Sequence, residues 1–292
     1  MNLLTFDIEE WYLEKVLHGA RQEKYKLFDE MLEKVLTLLS ECGIHATFFC
    51  LGQMAIHFPN VIRKIAEAGH EIGCHSHVHS RLNQMSPSEC RNDTRVAIDS
   101  LEQCIGKKIR IYRAPAFSIT SNTPWAFEVL SENGIEIDAS IFPVSRDFGG
   151  FLGFGCDRPC LVNLNGRSIK EFPICPTHFI KWPVVFSGGG YFRVFPQCYI
   201  ESRIKKNDYT MMYFHLSDLA ALKFKFMSRK EYELCYRESA GFFQRFKRYI
   251  KDNLSWGNTL DKFSSIIRSN CFIDIGEADT KIDWNKSIVI SL

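Results

Sequence analysis

ATFFCLGQMAIHFPNVIRKIAEAGHEIGC runs from Ala46 to Cys74 and contains the unit on which the rest of the chain is built. Ala46–Leu51 is a short apolar run of strand character, Phe58–Ala68 has helical spacing, Gly69 closes that helix, and His70–Cys74 is again a strand. A strand, a helix and a second strand in succession form the crossover that parallel strands require. The same alternation extends both ways. Upstream, Asn2–Ile8 reads as a strand and Tyr25–Glu41 as a helix ended by Gly43. Downstream, a helix from Ser86 to Cys104 opens on the capping run Ser-Pro-Ser-Glu. A strand at Lys108–Tyr112, a helix at Thr123–Asn133, a strand at Ile135–Ala139 and a late strand at Tyr209–Phe214 follow. The expected fold is α/β, with a mostly parallel sheet and outer helices, open or closed into a barrel.

Two segments depart from this rhythm. Phe148–Pro196 is rich in Gly, Pro and aromatics and lacks helical periodicity, so a long loop or hairpin excursion is expected, of the kind that binds substrate at a barrel mouth. From Ser228 the tail is expected to be helical, with Phe242, Phe243, Phe246, Tyr249 and Ile250 at helical spacing among Arg245, Lys247, Arg248 and Lys251. Such a basic amphipathic segment suits peripheral contact with a membrane, although packing on the barrel with a solvated basic face is the commoner use of the pattern.

Of 292 residues, 46% are hydrophobic and 24% charged, a balance that supports a buried core and argues against disorder. No internal repeat or low-complexity segment divides the chain. Residues 1–292 are therefore expected to form one domain, with 217–292 as a helical extension packed on it. A net charge of +2 gives no reason to expect a nucleic-acid partner. The eleven cysteines are odd in number, irregularly spaced and partly set in apolar runs (Cys50, Cys74, Cys175), which points to reduced thiols. Cys156 and Cys160 are a candidate metal pair without a second pair or nearby histidines. With no signal-like opening and no apolar run of about 18 residues, a cytoplasmic protein is expected.

Polar residues gather just beyond the strand ends, where parallel barrels and sheets build active sites. Thr5-Phe6-Asp7-Ile8-Glu9-Glu10-Trp11 ends an apolar strand in three acids, whose repulsion and desolvation demand a cation. The run Gly69–His79 supplies further ligands: His75 and His79, four apart, set two imidazoles on one side of a turn, and Ser76 can tie the loop's backbone. His77 points elsewhere on this geometry. Two imidazoles and one carboxylate leave an open position for water, as catalytic metal sites do. One divalent ion is the expected cofactor, zinc foremost, from a ligand set that also accepts cobalt, iron or nickel.

The Asp-bearing strand end, the His-Ser-x-x-His loop, Arg113-Ala114-Pro115 and Phe214-His215-Leu216 occur in the order seen in the polysaccharide deacetylase family, also described as NodB-homology or carbohydrate esterase family 4-like proteins. Ser187-Gly188-Gly189-Gly190-Tyr191-Phe192-Arg193, the run Asp138–Pro143 and the tail resemble a branch of that family associated with exopolysaccharide loci. The resemblance implies a distorted (β/α) barrel of that type and hydrolysis of the N-acetyl group of an amino sugar in a glycan or glycan precursor, with release of acetate. By matching motif positions, Asp7 resembles the general base, His75 and His79 the imidazole ligands, Arg113 the arginine that holds the base, and His215 the general acid. The acidic ligand is Glu9 or Glu10. The family commonly has two adjacent aspartates where Ile8 follows Asp7 here, and strand alternation puts Glu9 on the side of Asp7. Asp138 is a candidate partner for His215. Ala116 fills a place usually held by an aromatic residue, with Phe117 next. Trp182, Tyr191 and Arg193 are candidates for the sugar subsite, the neighbouring glycines permitting close approach. Two other readings are a cyclic amide or ureide hydrolase on the same fold, and a carbohydrate-binding protein without catalysis.

Overall fold

Alternation of side chains along the first strand explains most of the architecture. β1 (Asn2–Ile8) sends Leu4, Phe6 and Ile8 into one apolar cluster, while Leu3 belongs to a second cluster on the opposite face, the face of Thr5 and Asp7. This computed structural model describes the backbone of all residues except 145, 147, 180, 181, 221, 223, 237, 256 and 257, and the side chains of 178, 179, 182 and 183 also lie outside the description.

After β1 come α1 (Glu10–His18), α2 (Gln22–Cys42), β2 (Thr47–Cys50), α3 (Gly52–His57), α4 (Pro59–Glu67) and β3 (Glu71–Cys74). α5 (Pro87–Ile105), β4 (Ile111–Tyr112), α6 (Trp125–Glu132) and β5 (Ile137–Asp138) continue the alternation. Two hairpins follow, β6 (Cys160–Leu164) with β7 (Arg167–Glu171) and β8 (Thr177–Phe179) with β9 (Trp182–Val184). Next are α7 (Gly189–Val194), α8 (Gln197–Lys206), β10 (Thr210–Phe214) and α9 (Leu216–Leu219). The tail comprises α10 (Arg229–Tyr236), α11 (Phe242–Asn253), α12 (Thr259–Ser269), α13 (Ile275–Lys281) and β11 (Ile288–Ser291).

Among the described residues, nine strands form one sheet in the order β10-β1-β2-β3-β4-β5-β7-β6-β11. Each pairing from β10 to β7 is parallel, β7–β6 is antiparallel and β6–β11 parallel. In a flat sheet β1 and β4 would stand about 14 Å apart, three steps of about 4.8 Å. Yet Arg113, the residue after β4, reaches Thr5 and Asp7 on β1 at 2.9 Å. Phe117 and Phe142, beyond β4 and β5, lie 5.1 and 6.4 Å from the ring of Tyr213 on β10. The sheet is thus rolled, as expected for a distorted α/β barrel, with no ladder joining β10 to β11 among the described residues. Leu3, Phe49, Ile111, Ile137, Phe172 and Met211 fill the inside, while Phe6, Phe48, Ile72, Cys74 and Phe214 face the outer helices. Gly73 on β3 makes this filling possible. A Cβ there would sit 2.7 Å from the Phe49 ring, and that ring supports the Arg113 guanidinium at 4.1 Å.

Three expectations change. The excursion at 148–196 does hold hairpins, as expected, but one of them, β6 with β7, joins the main sheet, and the excursion also contains the short helix α7. α1 and α8 carry helices where none was read. The tail ends in β11, not in a helix: the β-branched run from Ile288 pairs with the edge of β6, a partner that only the fold brings near.

α13 closes the end of the barrel opposite the polar strand ends. Ile275 N donates to Thr47 Oγ1 at 2.9 Å, Gly276 N donates to Glu71 Oε2 at 2.8 Å, and Ile275 and Ala278 join the inner cluster. Burial, aided by the Asp274 carboxylate, pushes the Glu71 carboxyl up to about 7 from an ordinary 4.5. A carboxyl whose folded pKa is raised favours the fold in its neutral form, so its contribution is complete below the unfolded pKa and lost as pH rises through about 7. Glu71→Gln is expected to keep the hydrogen bonds and flatten the fall in Tm across that window. Thermal melts at stepped pH test this, and a variant profile parallel to the parent would exclude Glu71 as its source.

Candidate active site

At the polar end of the barrel, Arg113 is completely buried and spends its guanidinium on the inside. Nη1 donates to Asp7 Oδ1 and Thr5 Oγ1 at 2.9 Å, Nε donates to the Ala139 carbonyl at 3.1 Å, and Nη2 faces Met211 Sδ at 2.9 Å. Asp7 is buried too, so the pair forms in a low-dielectric setting with two hydrogen bonds orienting the cation. The carbonyl of Arg113 has a second task. It lies 2.7 Å from His75 Nδ1, and because a carbonyl only accepts, Nδ1 carries the proton and Nε2 keeps its lone pair.

That lone pair faces His79 and Glu9. Glu9 Oε2 is 2.6 Å from His79 Nε2 and 3.6 Å from His75 Nε2. The three prospective ligand atoms lie within 4.8 Å of one another, and no other group of three His, Cys, Asp or Glu among the described residues converges in this way. Cys156 and Cys160 belong to no such group. The loop that presents the imidazoles is tightly wound: Ser76 and His79 adopt φ of 68° and 59°, and His79 N donates to Ser76 Oγ at 3.0 Å. His77 turns away, its Nε2 lying 2.7 Å from Gln53 Nε2. Glu9 Oε2 is buried and accepts no well-aligned hydrogen bond, an orphaned acceptor between two imidazoles that suits a cation. Glu10 does different work. Its Oε1 accepts from Ser217 N at 2.9 Å, strapping α1 to α9, and burial pushes its carboxyl up to about 7.

His215 stands on the other side of Glu9, its Nε2 3.1 Å from Glu9 Oε1 and its Nδ1 3.2 Å from Asp218 Oδ2. Burial opposes a charged imidazole, but the Glu9 and Asp218 carboxylates outweigh it and hold His215 well above its ordinary pKa. Burial likewise opposes an ionised Glu9, and His79 and His215 outweigh it, keeping Glu9 well below the usual range. Asp7, Glu9, His75, His79, His215 and Arg193 line one cleft of ≈ 680 Å³, walled further by residues of α1, α10 and α11.

Residues 3–137 match the family model for polysaccharide deacetylase, and residues 139–264 match a domain of unknown function, DUF3473. Over residues 3–137, just under half of the chain, the match is to the polysaccharide deacetylase family. Its members are hydrolases of N-acetyl amide bonds. A peptidoglycan-N-acetylglucosamine deacetylase of Bacillus cereus is 35% identical over 100 residues, 34% of this chain and 36% of that protein. The peptidoglycan-N-acetylglucosamine deacetylase PgdA of Listeria monocytogenes is 38% identical over 58 residues, 20% of this chain and 12% of that one. The similarity thus spans about a third or less of these relatives' length. A solved structure from Mycobacterium smegmatis, named for the polysaccharide deacetylases, superposes with a TM-score of 0.64 at 17% identity, covering 100% of this chain and 92% of that one, which shows the shared fold.

Two of the sequence expectations need correction. Asp138 does not meet His215. It pairs with Glu171, its neighbour across the β5–β7 ladder, and accepts from Ser140 Oγ at 2.6 Å and Ser140 N at 3.1 Å. Burial and the Asp138 charge push Glu171 well above the ordinary range, so the pair holds a proton. Ser140 Oγ in turn accepts from Ala114 N at 2.7 Å, which steadies the turn carrying Arg113. The partner of His215 is Asp218, three residues on. The sequence does carry a signal for it: an acid at the third position of a helix whose cap is His215, its carboxylate accepting from His215 N at 2.9 Å.

The second correction concerns the sugar subsite. Arg193 lines the cleft and backs Asp218 at 3.9 Å. Tyr191, two positions earlier on α7 and hence about 200° around the helix, is exposed and absent from the cleft wall. Trp182 lies on β9, and its side chain is outside the described residues. The glycines serve the protein itself: a Cβ on Gly188 would fall 1.9 Å from the Tyr213 ring and one on Gly189 1.9 Å from the Asp218 carboxylate. Ala116, with φ of 55°, lines the cleft, and Phe117 turns into the barrel against Phe142.

Proposed function

We propose that this chain hydrolyses the N-acetyl group of an amino sugar in a glycan or glycan precursor, releasing acetate and leaving a free amine. The reading rests on one observation, the convergence of the Asp7–Arg113 pair, the Glu9–His75–His79 group and the His215–Asp218 pair on one cleft. Glu9, His75 and His79 would hold one divalent ion, zinc in our proposal, which when bound supplies Lewis-acid polarisation of the acetamide carbonyl. The chain's own groups handle the protons. Asp7, oriented by its hydrogen bond from Arg113, accepts a proton from the attacking water as its oxygen bonds to the carbonyl carbon. The proton on His215, sustained by Asp218, passes to the sugar nitrogen as the carbon–nitrogen bond breaks. Arg193 buttresses Asp218 from the cleft wall.

Elemental analysis joined to an acetate-release assay on N-acetylated chitooligosaccharides tests the proposal. One ion per chain and acetate release that stops on chelation are expected. Glu9→Gln should cut ion content and acetate release together, by about tenfold or more, since it removes the anionic ligand. A fully loaded protein that releases no acetate but opens a cyclic ureide would replace this reading with the alternative hydrolase.

A further inference from the structure

Amphipathic helices of water-soluble domains turn their apolar stripe inward. α11 does the reverse. Phe242, Phe243, Phe246, Ile250 and Leu254 fall within about 120° of one another around a helix of 100° per residue, and all are exposed, Phe243 at 84%. The inward side is polar: Arg248 and Asp252, paired at 3.0 Å, line the active-site cleft, and Arg245 Nη1 donates to the Met227 carbonyl at 2.8 Å. The exposed stripe is continuous with Phe226, whose ring lies 5.5 Å from Phe242, while Phe242 stacks on Phe246 at 6.0 Å. No residue of α11 is buried. A contiguous aromatic surface of this kind marks an interaction site.

Charge selects the occupant. Residues 222–254 contain nine Lys and Arg against four Asp and Glu, a surplus of five in a chain whose total is +2. Lys225 and Lys247 are exposed close to the stripe in sequence. A second copy of the chain would press two such positive surfaces together. An anionic bilayer complements both the charge and the aromatic stripe. Among the described residues no helix is long and apolar enough to cross a membrane, so the contact is peripheral.

We infer that the outer face of α11 docks on an anionic lipid surface and thereby holds the cleft at the bilayer. Because α11 is itself a wall of the cleft, its apolar face and its cleft face are separated by one helix width, about 10 Å. Resting on the deacetylase reading, the substrate class that follows is an N-acetylated glycan carried on a lipid and presented at the membrane surface.

Vesicle binding measures the docking without catalysis. The purified full chain is floated with phosphatidylcholine vesicles with and without phosphatidylglycerol. Binding is expected only with the anionic lipid and should weaken with salt. The double variant Phe243→Ser/Phe246→Ser should lower partitioning about 100-fold, and Lys225→Gln/Lys247→Gln about 30-fold. Acetate release from a soluble N-acetylated oligosaccharide should stay unchanged in both. Equal binding to both vesicle types, no binding, or binding insensitive to the Phe variant would overturn the inference. So would a dimer in sedimentation that the Phe variant dissociates. Loss of acetate release in the parent chain with anionic binding intact would sink only the deacetylase reading.

Discussion

Asp7→Asn is expected to lower kcat/KM for acetate release by roughly 10²–10⁴-fold while the content of bound divalent ion stays near that of the parent chain. Asparagine matches the shape of aspartate and still accepts a hydrogen bond from Arg113 Nη1, but it takes up no proton at neutral pH. Glu9, His75 and His79 are left in place, so the ligand group survives. The substitution also removes the counter-charge of a fully buried guanidinium, which lowers stability. Activity must therefore be compared well below the variant's Tm. Turnover equal to the parent in a folded, ion-loaded Asp7→Asn protein would remove Asp7 from the role of base.

Arg113→Met should cost about 3–5 kcal/mol of stability, because it strands Asp7 as an unpaired buried charge. Methionine retains much of the stem that packs over Phe49 and beside Met211, so the loss reports on charge more than on volume. The double variant Asp7→Asn/Arg113→Met gives the sharper result. It should be more stable than Arg113→Met alone, as no carboxylate remains to be stranded, yet stay inactive. Denaturant melts of the four proteins in this cycle supply the coupling energy. Additive losses would mean that the 2.9 Å contact carries no energy of its own.

Arg113 also illustrates which parts of the site were legible before the fold was known. Its place at a strand end, and its match to a family motif, both come from linear order. The contacts that give it meaning do not. Asp7 lies 106 positions away in sequence, and His75, which uses the Arg113 carbonyl, lies 38 away. Asp138 shows the opposite outcome. Its strand-end position suggested a partner for His215, but the β5–β7 ladder puts Glu171 directly beside it. The pairing of an excursion strand with the core sheet was not encoded in any local periodicity. Asp218, close to His215 in the chain, was within reach of a capping argument and was missed.

Glu9 and Glu10 separate for a simpler reason. Strand alternation predicts Glu9 on the Asp7 side, but β1 ends at Ile8. It is the turn into α1, with Glu9 as its cap at φ −142° and ψ −15°, that sends Glu9 to His75 and His79, while Glu10, the first residue of α1, straps Ser217. The GlyGlyGly run was visible but misattributed. Its lack of side chains accommodates Tyr213 and Asp218, which converge on it from β10 and α9. The stripe of α11 was equally visible in spacing, yet spacing cannot say which way a helix is turned.

Local spacing alone was enough to read the strand and helix alternation, to single out the histidine pair as candidate ligands and to narrow the acid to Glu9 or Glu10. Each depends on backbone periods of two or about 3.6 residues, or on a single turn. Which carboxylate serves which base, which tautomer His75 adopts, and that α11 shows its aromatic face to the outside were decided only by the rolled sheet and its cap. Those outcomes depend on through-space contacts between remote segments, and Coulombic and packing forces act across that space without regard to position along the chain.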